Sequence, residues 1–439
     1  MDDTSVQPVR GFQDVLPPDS SRMAALEALA REVFSLYGFG EIRLPTLENH
    51  ALFVKTTGET TDIVEKEMFR LEDSGGRHLA LRPEGTPGVV RAYLNAHLKQ
   101  HGPVTKLFYV GGMFRAERPQ AGRFREFEQI GVEALGNPHP AADVECILAL
   151  KRLFDRSGLA GRTRLRLNNL GCDEDPGCRP AFRERLKECL KARAEELCPS
   201  CRGRIERNPL RALDCKADGP KLAAVAPKLS PCAACRDHVA EVSALLDSAG
   251  CEHAYPDPNL VRGLDYYTRT VFEFTAEGLG SQDAIAGGGR YDALVGSMGG
   301  PKTPAVGWAL GAERTLLALK AADPALSCLM RDAPARGCDV FVAVAGAKAV
   351  EPAVRLLESL RGFRIRSGAA VFSSSLKAQL KEAARQGALY AVILGEDELA
   401  KQPPACALRD LSKGEQSLVP LSGVLEHLGE VLIRHGREP

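Results

Sequence analysis

The chain has 439 residues, of which 44% are hydrophobic and 26% charged, and its 57 Lys and Arg balance its 57 Asp and Glu. This composition is typical of a globular protein of two or three domains, and the zero net charge argues against a generally basic nucleic-acid binder. The polar N-terminus lacks the apolar core of a signal peptide, and no apolar run approaches transmembrane length. Thirteen Cys without an export signal indicate reduced thiols, so we expect a cytoplasmic protein.

The first predicted elements are two helices with a short strand between them. Apolar residues at helical spacing follow Asp19 and Ser20, which predicts a helix capped by these residues and ended by Gly38. The strand EIRLP follows it. Further along, Thr86 precedes a proline, a pair that is typical of a helix start.

Residues 106–135 predict two strands joined by a charged turn. Alternate residues of a strand point to opposite faces, so the hairpin has one apolar face for a core and one polar face. Glycines interrupt the polar face, which favours a pocket over a salt-bridged surface. The polar side of the hairpin and its turn carry Arg115, Glu117, Arg123, Phe127, Gln129 and Glu133.

The character of the sequence changes after a strand at about 163–169. Residues 171–252 hold nine of the thirteen Cys, many charges and a helical stretch near 180–197, which predicts an inserted domain. A strand at 253–256 then leads into VRGLDYYTRT at 261–270. That segment sets a cation beside two tyrosines, and because a buried unpaired charge is costly, we expect the segment to hold a ligand.

A glycine-rich stretch and a small α/β domain complete the chain. AGGGRYDALVGSMGG at 286–300 lacks the spacing of the known phosphate-binding loops and is more typical of tight backbone packing. The pattern loosens near 322–337 and then alternates strand and helix, which predicts an α/β domain with a mostly parallel sheet. The predicted divisions are 1–170 and 253–325 for a catalytic core, 171–252 for the insert, 326–336 for a linker and 337–439 for the last domain.

Six segments together resemble the histidyl-tRNA synthetase family of class II aminoacyl-tRNA synthetases, and the resemblance covers essentially the whole chain. They include class II motifs 1, 2 and 3 and two peptides peculiar to the histidine enzymes. Ala309 in motif 3 departs from the glycine that many class II enzymes have. The segments are RGFQDVLP (10–17), YGFGEIRLPTLE (37–48), FRAERPQAGRFREFEQIGVEALG (114–136), LVRGLDYYTRTVFEF (260–274), AGGGRYDALV (286–295) and GWALGAER (307–314).

The resemblance implies a multidomain protein of α/β and α+β class. Its catalytic core would be the antiparallel sheet of class II synthetases with an inserted domain, followed by a C-terminal α/β anticodon-binding domain. The implied reaction is ATP-dependent attachment of L-histidine to histidine tRNA through a histidyl-adenylate. The implied partners are ATP with Mg²⁺, the tRNA and a second copy of the chain, since motif 1 lies in a dimer interface in this family; no membrane is implied.

The resemblance also implies roles for single residues. In the family, the arginine of the RGLDYY peptide lies over the α-phosphate and the histidine carboxylate, a role that falls to Arg262 here. Arg115 would clamp the same phosphate, so these two are the predicted catalytic residues. Tyr266 and Tyr267 would form the lid and wall of the histidine pocket, and the sequence leaves open which of them contacts the imidazole.

The remaining implied contacts divide between histidine and ATP. Phe127 would stack on adenine, and Arg123 and Arg314 would hold the outer phosphates. The predicted histidine-binding residues are Glu84, Gly85, Thr86, Arg115, Gln129, Glu133, Arg262, Tyr266 and Tyr267. The predicted ATP-binding residues are Arg115, Glu117, Arg123, Phe127 and Arg314.

The insert contains two Cys pairs with metal-ligand spacing, CPSC at 198–201 and CAAC at 232–235. Two thiols three positions apart can reach one ion, so the spacing predicts a structural zinc site, with unliganded reduced thiols as the alternative. The family resemblance lends this site no weight, and Cys215 is a spare that could replace one ligand. The predicted ligands are Cys198, Cys201, Cys232 and Cys235.

Two non-catalytic alternatives remain open at this point. The regulatory subunit of ATP phosphoribosyltransferase is a relative that usually lacks the anticodon domain and parts of the motif 2 turn. A stand-alone RNA-binding or nutrient-sensing relative is the other alternative. Here the last domain and Arg115, Arg262 and Arg314 are all present, which favours the enzyme.

Overall fold

The computed structural model describes most of the chain as two compact units, residues 1–330 and 331–439. The boundary falls within the predicted linker at 326–336, most of which lies outside the described residues. Among the described residues, no helix is both long and apolar enough to cross a membrane. The described residues are 7–58, 61, 63–120, 122–213, 215, 217–257, 260–261, 264–280, 283–322, 327, 329–330, 337–369 and 374–434.

The first unit is built on an eight-stranded sheet in the order β1-β5-β6-β11-β10-β9-β7-β8. It is antiparallel except for the β1–β5 and β7–β8 pairs. The same unit contains a separate three-stranded sheet in the order β2-β4-β3. The strands are β1 (Gly40–Glu41), β2 (Leu47–Asn49), β3 (Arg70–Glu72), β4 (His78–Leu81), β5 (Thr105–Phe114), β6 (Glu126–Leu135), β7 (Thr163–Asn169), β8 (His253–Ala254), β9 (Thr268–Ala276), β10 (Ala284–Arg290) and β11 (Ala305–Gly311).

Helices cover one face of the large sheet and bury the main core. Phe34 of the first helix packs edge-to-face on Trp308 at 5.6 Å, and the Trp308 indole donates to the Cys146 carbonyl at 2.8 Å. Asp19 and Ser20 lie inside the first helix, whose N-cap is Pro18, so the predicted cap is wrong. The helices of this unit are α1 (Asp19–Leu36), α2 (His50–Thr57), α3 (Thr86–Asn95), α4 (Pro140–Phe154), α5 (Arg179–Lys191), α6 (Pro199–Arg204), α7 (Gly219–Leu222), α8 (Ala233–Ser248), α9 (Leu294–Ser297) and α10 (Ala312–Ala321).

The predicted hairpin at 106–135 is confirmed as β5 and β6. Its register sets Tyr109 opposite Gly131 and Gly111 opposite Gln129, so both strands turn the same face toward the open side of the sheet. On β11 the alternation is equally clear, because Trp308 faces the helices while Ala309 lines the open side. The sheet therefore has an apolar covered face and a polar open face.

The cysteine-rich segment contains a small core of its own, formed by α5 to α7 and the loops between them. Eight buried residues make up this core, among them Phe182, Leu186 and Leu190 of α5. The last helix of the predicted insert behaves differently, since Val239 and Leu246 of α8 join the main core under the large sheet. The part that stands apart from the main core therefore ends before α8.

The second unit is a five-stranded sheet in the order β13-β12-β14-β15-β16. The β12–β13 and β12–β14 pairs are parallel, and β14–β15 and β15–β16 are antiparallel, so the sheet is mixed rather than mostly parallel. Its elements are β12 (Val340–Ala345), α11 (Val350–Gly362), β13 (Ser367–Ala369), α12 (Leu376–Arg385), β14 (Tyr390–Gly395), α13 (Glu396–Leu399), β15 (Ala405–Asp410), β16 (Gln416–Pro420) and α14 (Val424–Arg434).

Candidate active site

A cavity of about 510 Å³ opens on the polar face of the large sheet. Strands β6, β9, β10 and β11 supply its base, and the turn between β5 and β6 supplies one wall. Residues as far apart in the chain as Arg115 and Arg314 meet here. The predicted residues that line the cavity are Arg115, Glu117, Arg123, Phe127, Gln129 and Arg314.

Arginines surround the cavity from three elements. The Arg115 guanidinium donates to the Pro83 carbonyl at 2.9 Å and lies 5.3 Å from the centre of the Phe127 ring, a cation–π contact. Arg314 is the third residue of α10 and donates to the Ala284 carbonyl at 2.8 Å. Burial, and next the positive charge of Arg123, lower the pKa of Arg314, although an arginine stays charged. Cations that repel one another in one cavity fit a polyanion such as a triphosphate.

Two carboxyl groups, Glu84 in the loop before α3 and Glu133 on β6, are buried close enough to interact electrostatically. Glu84 accepts hydrogen bonds from the hydroxyls of Thr57 at 2.7 Å and Tyr266 at 2.8 Å. Glu133, which has no exposed surface, accepts from the hydroxyls of Thr86 at 2.6 Å and of Tyr291. All four donors are neutral, so neither carboxyl has a hydrogen-bonded cation of its own in the described part of the chain.

Burial without such a cation raises the pKa of both carboxyl groups. Desolvation brings the pKa of Glu133 to about 8, and the negative charge of Glu84 adds to the increase while the Thr86 and Tyr291 hydroxyls oppose it. The pKa of Glu84 is raised by desolvation, opposed by the hydrogen bond from Thr57 and by the charge of Arg115. Such a pair is stabilised in its ionised form by a cationic or N–H-donating ligand.

The two tyrosines of the VRGLDYYTRT segment take different roles. Their rings lie 4.7 Å apart and both are buried, but the Tyr266 hydroxyl is the one that donates to Glu84. Tyr267 packs against β10 near Gly289 and accepts a hydrogen bond at its carbonyl from Arg179. We call the two buried carboxyl groups, Glu84 and Glu133, the carboxyl floor. The segment thus joins this floor to the start of the insert.

Arg262 lies outside the described residues. Val261 and Leu264, which flank that position in the sequence, both line the cavity. Gln129 is described, and its buried Oε1 has no hydrogen-bond partner in the described ranges, so the side chain offers an acceptor to a ligand.

Glycines let the strands approach the floor closely. A Cβ on Gly85 would lie 2.3 Å from the Tyr109 ring, and one on Gly307 would lie 1.8 Å from Glu133 Oε2. These distances are far inside van der Waals contact, so both positions require glycine. Gly85 was predicted among the histidine-binding residues, and packing against Tyr109 is sufficient to explain it.

Sequence reasoning missed several residues of this site. Thr57 and Tyr291 hold the two carboxyl groups, and Arg211 of the insert lines the cavity. Tyr291 had a signal, because it belongs to the AGGGRYDALV segment. Thr57 and Arg211 had none, since nothing in a single sequence shows which loop folds over a distant strand.

The predicted zinc ligand set is wrong as a group, because the structure divides the four cysteines between two clusters. The neck cluster consists of Cys172, Cys178, Cys232 and Cys235. The lobe cluster consists of Cys198, Cys201, Cys215 and Asp218. Cys215, predicted as a spare, lies with its Sγ 3.8 Å from Cys198 Sγ. The neighbouring pairs in sequence are therefore not neighbours in space.

Comparison with known proteins agrees with this site. The sequence model of the family described as Histidyl-tRNA synthetase matches residues 11–315, and that described as Anticodon binding domain matches residues 339–430. The chain is 49% identical to the histidine–tRNA ligase of Elusimicrobium minutum (strain Pei191) over 424 residues, 96% of this chain and 98% of that protein. It is 47% identical to the histidine–tRNA ligase of Moorella thermoacetica over 421 residues, 95% of this chain and 96% of that protein.

A solved structure gives the same result. The crystal structure of apo histidyl-tRNA synthetase from S. aureus aligns with a TM-score of 0.79 at 31% identity, covering 96% of this chain and 99% of that one. The antiparallel sheet core and the C-terminal sheet domain are thus those of a class II synthetase. The chain belongs to the histidyl-tRNA synthetase family.

Proposed function

We propose that this chain is a histidine–tRNA ligase whose polar sheet face binds histidine and ATP together. The observation that carries the proposal is the pairing of a buried carboxyl floor, Glu84 and Glu133, with an arginine-lined cavity, one of whose arginines, Arg115, acts electrostatically on Glu84. A regulatory subunit that does not activate histidine would not need both the carboxyl floor and the arginine-lined cavity. The family matches over nearly the whole chain support the enzyme rather than the regulatory alternative.

Histidine occupies the floor in this proposal. Glu84 and Thr86 receive the α-ammonium group, because an ionised Glu84 supplies the opposite charge that a buried cation needs. Glu133 and the tyrosine pair of the VRGLDYYTRT segment contact the imidazole. The Tyr266 hydroxyl reaches this floor, since it donates to Glu84 at 2.8 Å. Gln129, with its unsatisfied buried Oε1, completes the amino-acid site.

ATP occupies the cavity. Adenine stacks on Phe127, whose ring Arg115 already contacts, while Arg123 and Arg314 hold the outer phosphates. Carboxylates of Glu117 and Glu313 line the same cavity and offer the oxygen ligands that Mg²⁺ prefers. When bound, Mg²⁺ neutralises phosphate charge and leaves the positioning of the nucleotide to the protein.

The reaction has two steps. A histidine carboxylate oxygen attacks the α-phosphorus of ATP, the bond to the bridging oxygen breaks, and pyrophosphate leaves. A ribose hydroxyl of the tRNA then attacks the carbonyl carbon of the adenylate, and AMP leaves. Arg115 and, by resemblance, Arg262 stabilise the charge that develops on the α-phosphate, and fixed donors of this kind are the largest contribution in such sites.

Aminoacylation of total tRNA, assayed with each amino acid in turn, tests this function. We expect charging with histidine alone. Arg262→Ala should lower the rate of adenylate formation by roughly a hundredfold or more, the usual loss for a fixed charge donor. An Arg262→Ala variant with wild-type adenylate formation would show that this arginine is not catalytic.

We infer that the second unit reads the tRNA anticodon. Its match to the anticodon-binding family supports the assignment, and unstacked bases read on their edges need few cations. A chain ended after residue 330 should keep histidine-dependent pyrophosphate exchange and lose most tRNA charging. Loss of exchange from a folded fragment would contradict this division of labour.

We also infer that two copies of the chain associate through the motif 1 region. Leu47 and Leu71, on the two outer strands of the three-stranded sheet, are each 44% exposed, and exposed leucines on one sheet are typical of an interaction surface. Sedimentation of the wild type should give a dimer, and Leu47→Lys should weaken it.

We also propose that the reaction takes place in the cytoplasm, because the described cysteines are free thiols. Fractionation of cells would test this location.

A further inference from the structure

The neck cluster joins the two ends of the insert. Cys172 and Cys178 follow strand β7, where the chain leaves the large sheet, and Cys232 and Cys235 lie at the start of α8, where it returns. The four sulfur atoms all lie within 4.8 Å of one another. One ligand set thus spans sixty residues of sequence and closes the loop that the insert makes.

The spacing of the sulfurs distinguishes a metal site from disulfides. Cys172 Sγ lies 3.9 Å from Cys232 Sγ, and in the lobe cluster Cys198 Sγ lies 3.8 Å from Cys215 Sγ. Two sulfurs of a disulfide are about 2 Å apart. Four thiolates at about 2.3 Å from a tetrahedral zinc ion lie roughly 3.8 Å from one another. The observed distances match the edges of that tetrahedron.

Backbone groups around the neck cluster are arranged for charged sulfur. The N–H groups of Cys172 and Cys232 both point at Cys178 Sγ, at 3.4 Å each. Gly171 has a φ of 68°, and a Cβ there would lie 2.8 Å from the same sulfur. Because outer-shell donors and close backbone approach orient metal ligands, this sulfur lies in a site built around it.

The lobe cluster repeats the pattern with one carboxylate. Cys198 and Cys201 stand three positions apart, as do Cys215 and Asp218, so two short turns each present two ligands. The Cys201 N–H points at Cys198 Sγ at 3.5 Å, and the Cys198 N–H donates to Asp218 Oδ2 at 2.9 Å. Three thiolates and one carboxylate complete a tetrahedral set without an open position.

The two clusters lie where the insert contacts the histidine pocket. From the neck, Arg179 donates to the Tyr267 carbonyl, and the Asn169 amide donates to the Cys235 carbonyl at 2.8 Å. From the lobe, Asn208 donates to the Asp265 carboxylate one residue before Tyr266. Among the described residues, the lobe core has eight buried side chains, a size at which a structural metal adds substantially to stability.

We propose that this chain binds two structural Zn²⁺ ions, one in the neck cluster and one in the lobe cluster. Four protein ligands at each site leave no open coordination position, which excludes a catalytic role for either ion. The neck ion fastens the insert to the sheet behind Tyr267. The lobe ion holds the loop that carries Asn208 and Arg211 against the pocket. These sites lie apart from the histidine and ATP contacts assigned above, and they stand whether or not those assignments do.

Metal analysis of the full-length protein, purified without chelator in a reducing buffer, is the direct test. We expect about two zinc ions per chain, the number of closed four-ligand sets. Cys235→Ser and Cys215→Ser should each lower the content to about one, and the double variant to about zero. Cys189→Ser is the matched control, because Cys189 lies in the same insert, outside both clusters, with its thiol 3.6 Å from the Val225 carbonyl.

Measurements on the wild type keep the test independent of variant folding. Thiol titration of the native protein should leave the seven cluster cysteines unreactive until a chelator is added, and Co²⁺ substitution should give thiolate-to-metal charge-transfer bands. Zinc below about two per chain, or cluster thiols that react freely without chelator, would overturn the proposal. So would disulfides in the freshly isolated protein, or a Cys189→Ser variant that loses zinc as the others do.

Discussion

The carboxyl floor and the cysteine-rich insert both concentrate reactive side chains, but different interactions hold them together. In the floor, Glu84 and Glu133 each accept two hydroxyl hydrogen bonds, which favour the carboxylate form against the desolvation that raises its pKa. In the insert, thiols mainly face other thiols and backbone N–H groups. Thiols of this kind are satisfied by a cation rather than by one another.

The difference shows how each region remains poised for its role. The floor is preformed. Burial raises the pKa of its two carboxyl groups, and a cationic ligand would lower it again. In our proposal the insert binds one ion in each cluster, and these ions are structural because they stabilise its small core. Substitutions in the floor should therefore change catalysis and binding, while substitutions in the clusters should change metal content and stability.

The largest effect is expected above the floor, at Arg115. Its guanidinium is fixed by the Pro83 carbonyl and the Phe127 ring, so Arg115→Ala removes a positioned charge. We expect kcat for histidine-dependent pyrophosphate exchange to fall by about 10²–10³-fold, or roughly 3 kcal/mol of transition-state stabilisation. Arg118→Ala, an exposed arginine of the same turn, is the control and should keep full activity.

A smaller effect is expected in the floor itself. Glu133→Gln keeps the shape of the side chain but removes the negative charge that we propose Glu133 presents to the bound imidazole. We expect KM for histidine to rise roughly tenfold to a hundredfold, since hydrogen bonds to charged groups contribute about 1.5–3 kcal/mol. KM for ATP should stay within about twofold. A rise in the ATP constant alone would remove Glu133 from the histidine site.

Packing beneath the floor can be tested at Gly307. A Cβ there would lie 1.8 Å from Glu133 Oε2, so Gly307→Ala must displace the carboxyl group or the strand. We expect the free energy of unfolding to fall by about 1–3 kcal/mol, the usual cost of overpacking. Gly296→Ala is matched to it, because a Cβ at Gly296 meets nothing within 4 Å. Equal urea midpoints for the two variants would contradict the close packing.

The smallest effect is a pH dependence of stability without ligand. Because the pKa of Glu133 is about 8 in the folded chain and near 4.5 otherwise, the folded state keeps a proton that the unfolded state releases. The free energy of unfolding therefore falls as the pH rises from about 4.5 to about 8. Between pH 6 and 8 we expect a loss of about 1–2 kcal/mol that Glu133→Gln removes. Parallel pH profiles for the two proteins would show that Glu133 titrates normally.

Alternation along β6 made part of the polar sheet face predictable. Phe127, Gln129 and Glu133 share a face because the period of a strand is two, and the structure confirms that face in the β5–β6 register. The alternation of strand and helix located the second unit. The family resemblance added Glu84 and Arg314, which strand periodicity does not reach.

Contacts between distant segments were not predictable in this way. CPSC and CAAC are adjacent pairs in sequence, yet Cys232 and Cys235 meet Cys172 and Cys178 across the neck of the insert. A short metal motif fixes two ligands and says nothing about the other two, which depend on how the loop closes. The mixed sheet of the second unit has the same origin, since strand alternation does not set the direction of the last pairs.

The most direct test of the account is histidine-dependent exchange of pyrophosphate into ATP by the full-length wild type with Mg²⁺. The arginine-lined cavity and the floor of Glu84 and Glu133 together predict exchange with histidine. They also predict at least about 10⁴-fold less exchange with amino acids that lack the imidazole, since a site built to pair polar groups rejects ligands without them. No exchange with any amino acid, or equal exchange with phenylalanine, would contradict the assignment of this sheet face as a histidine-activating site.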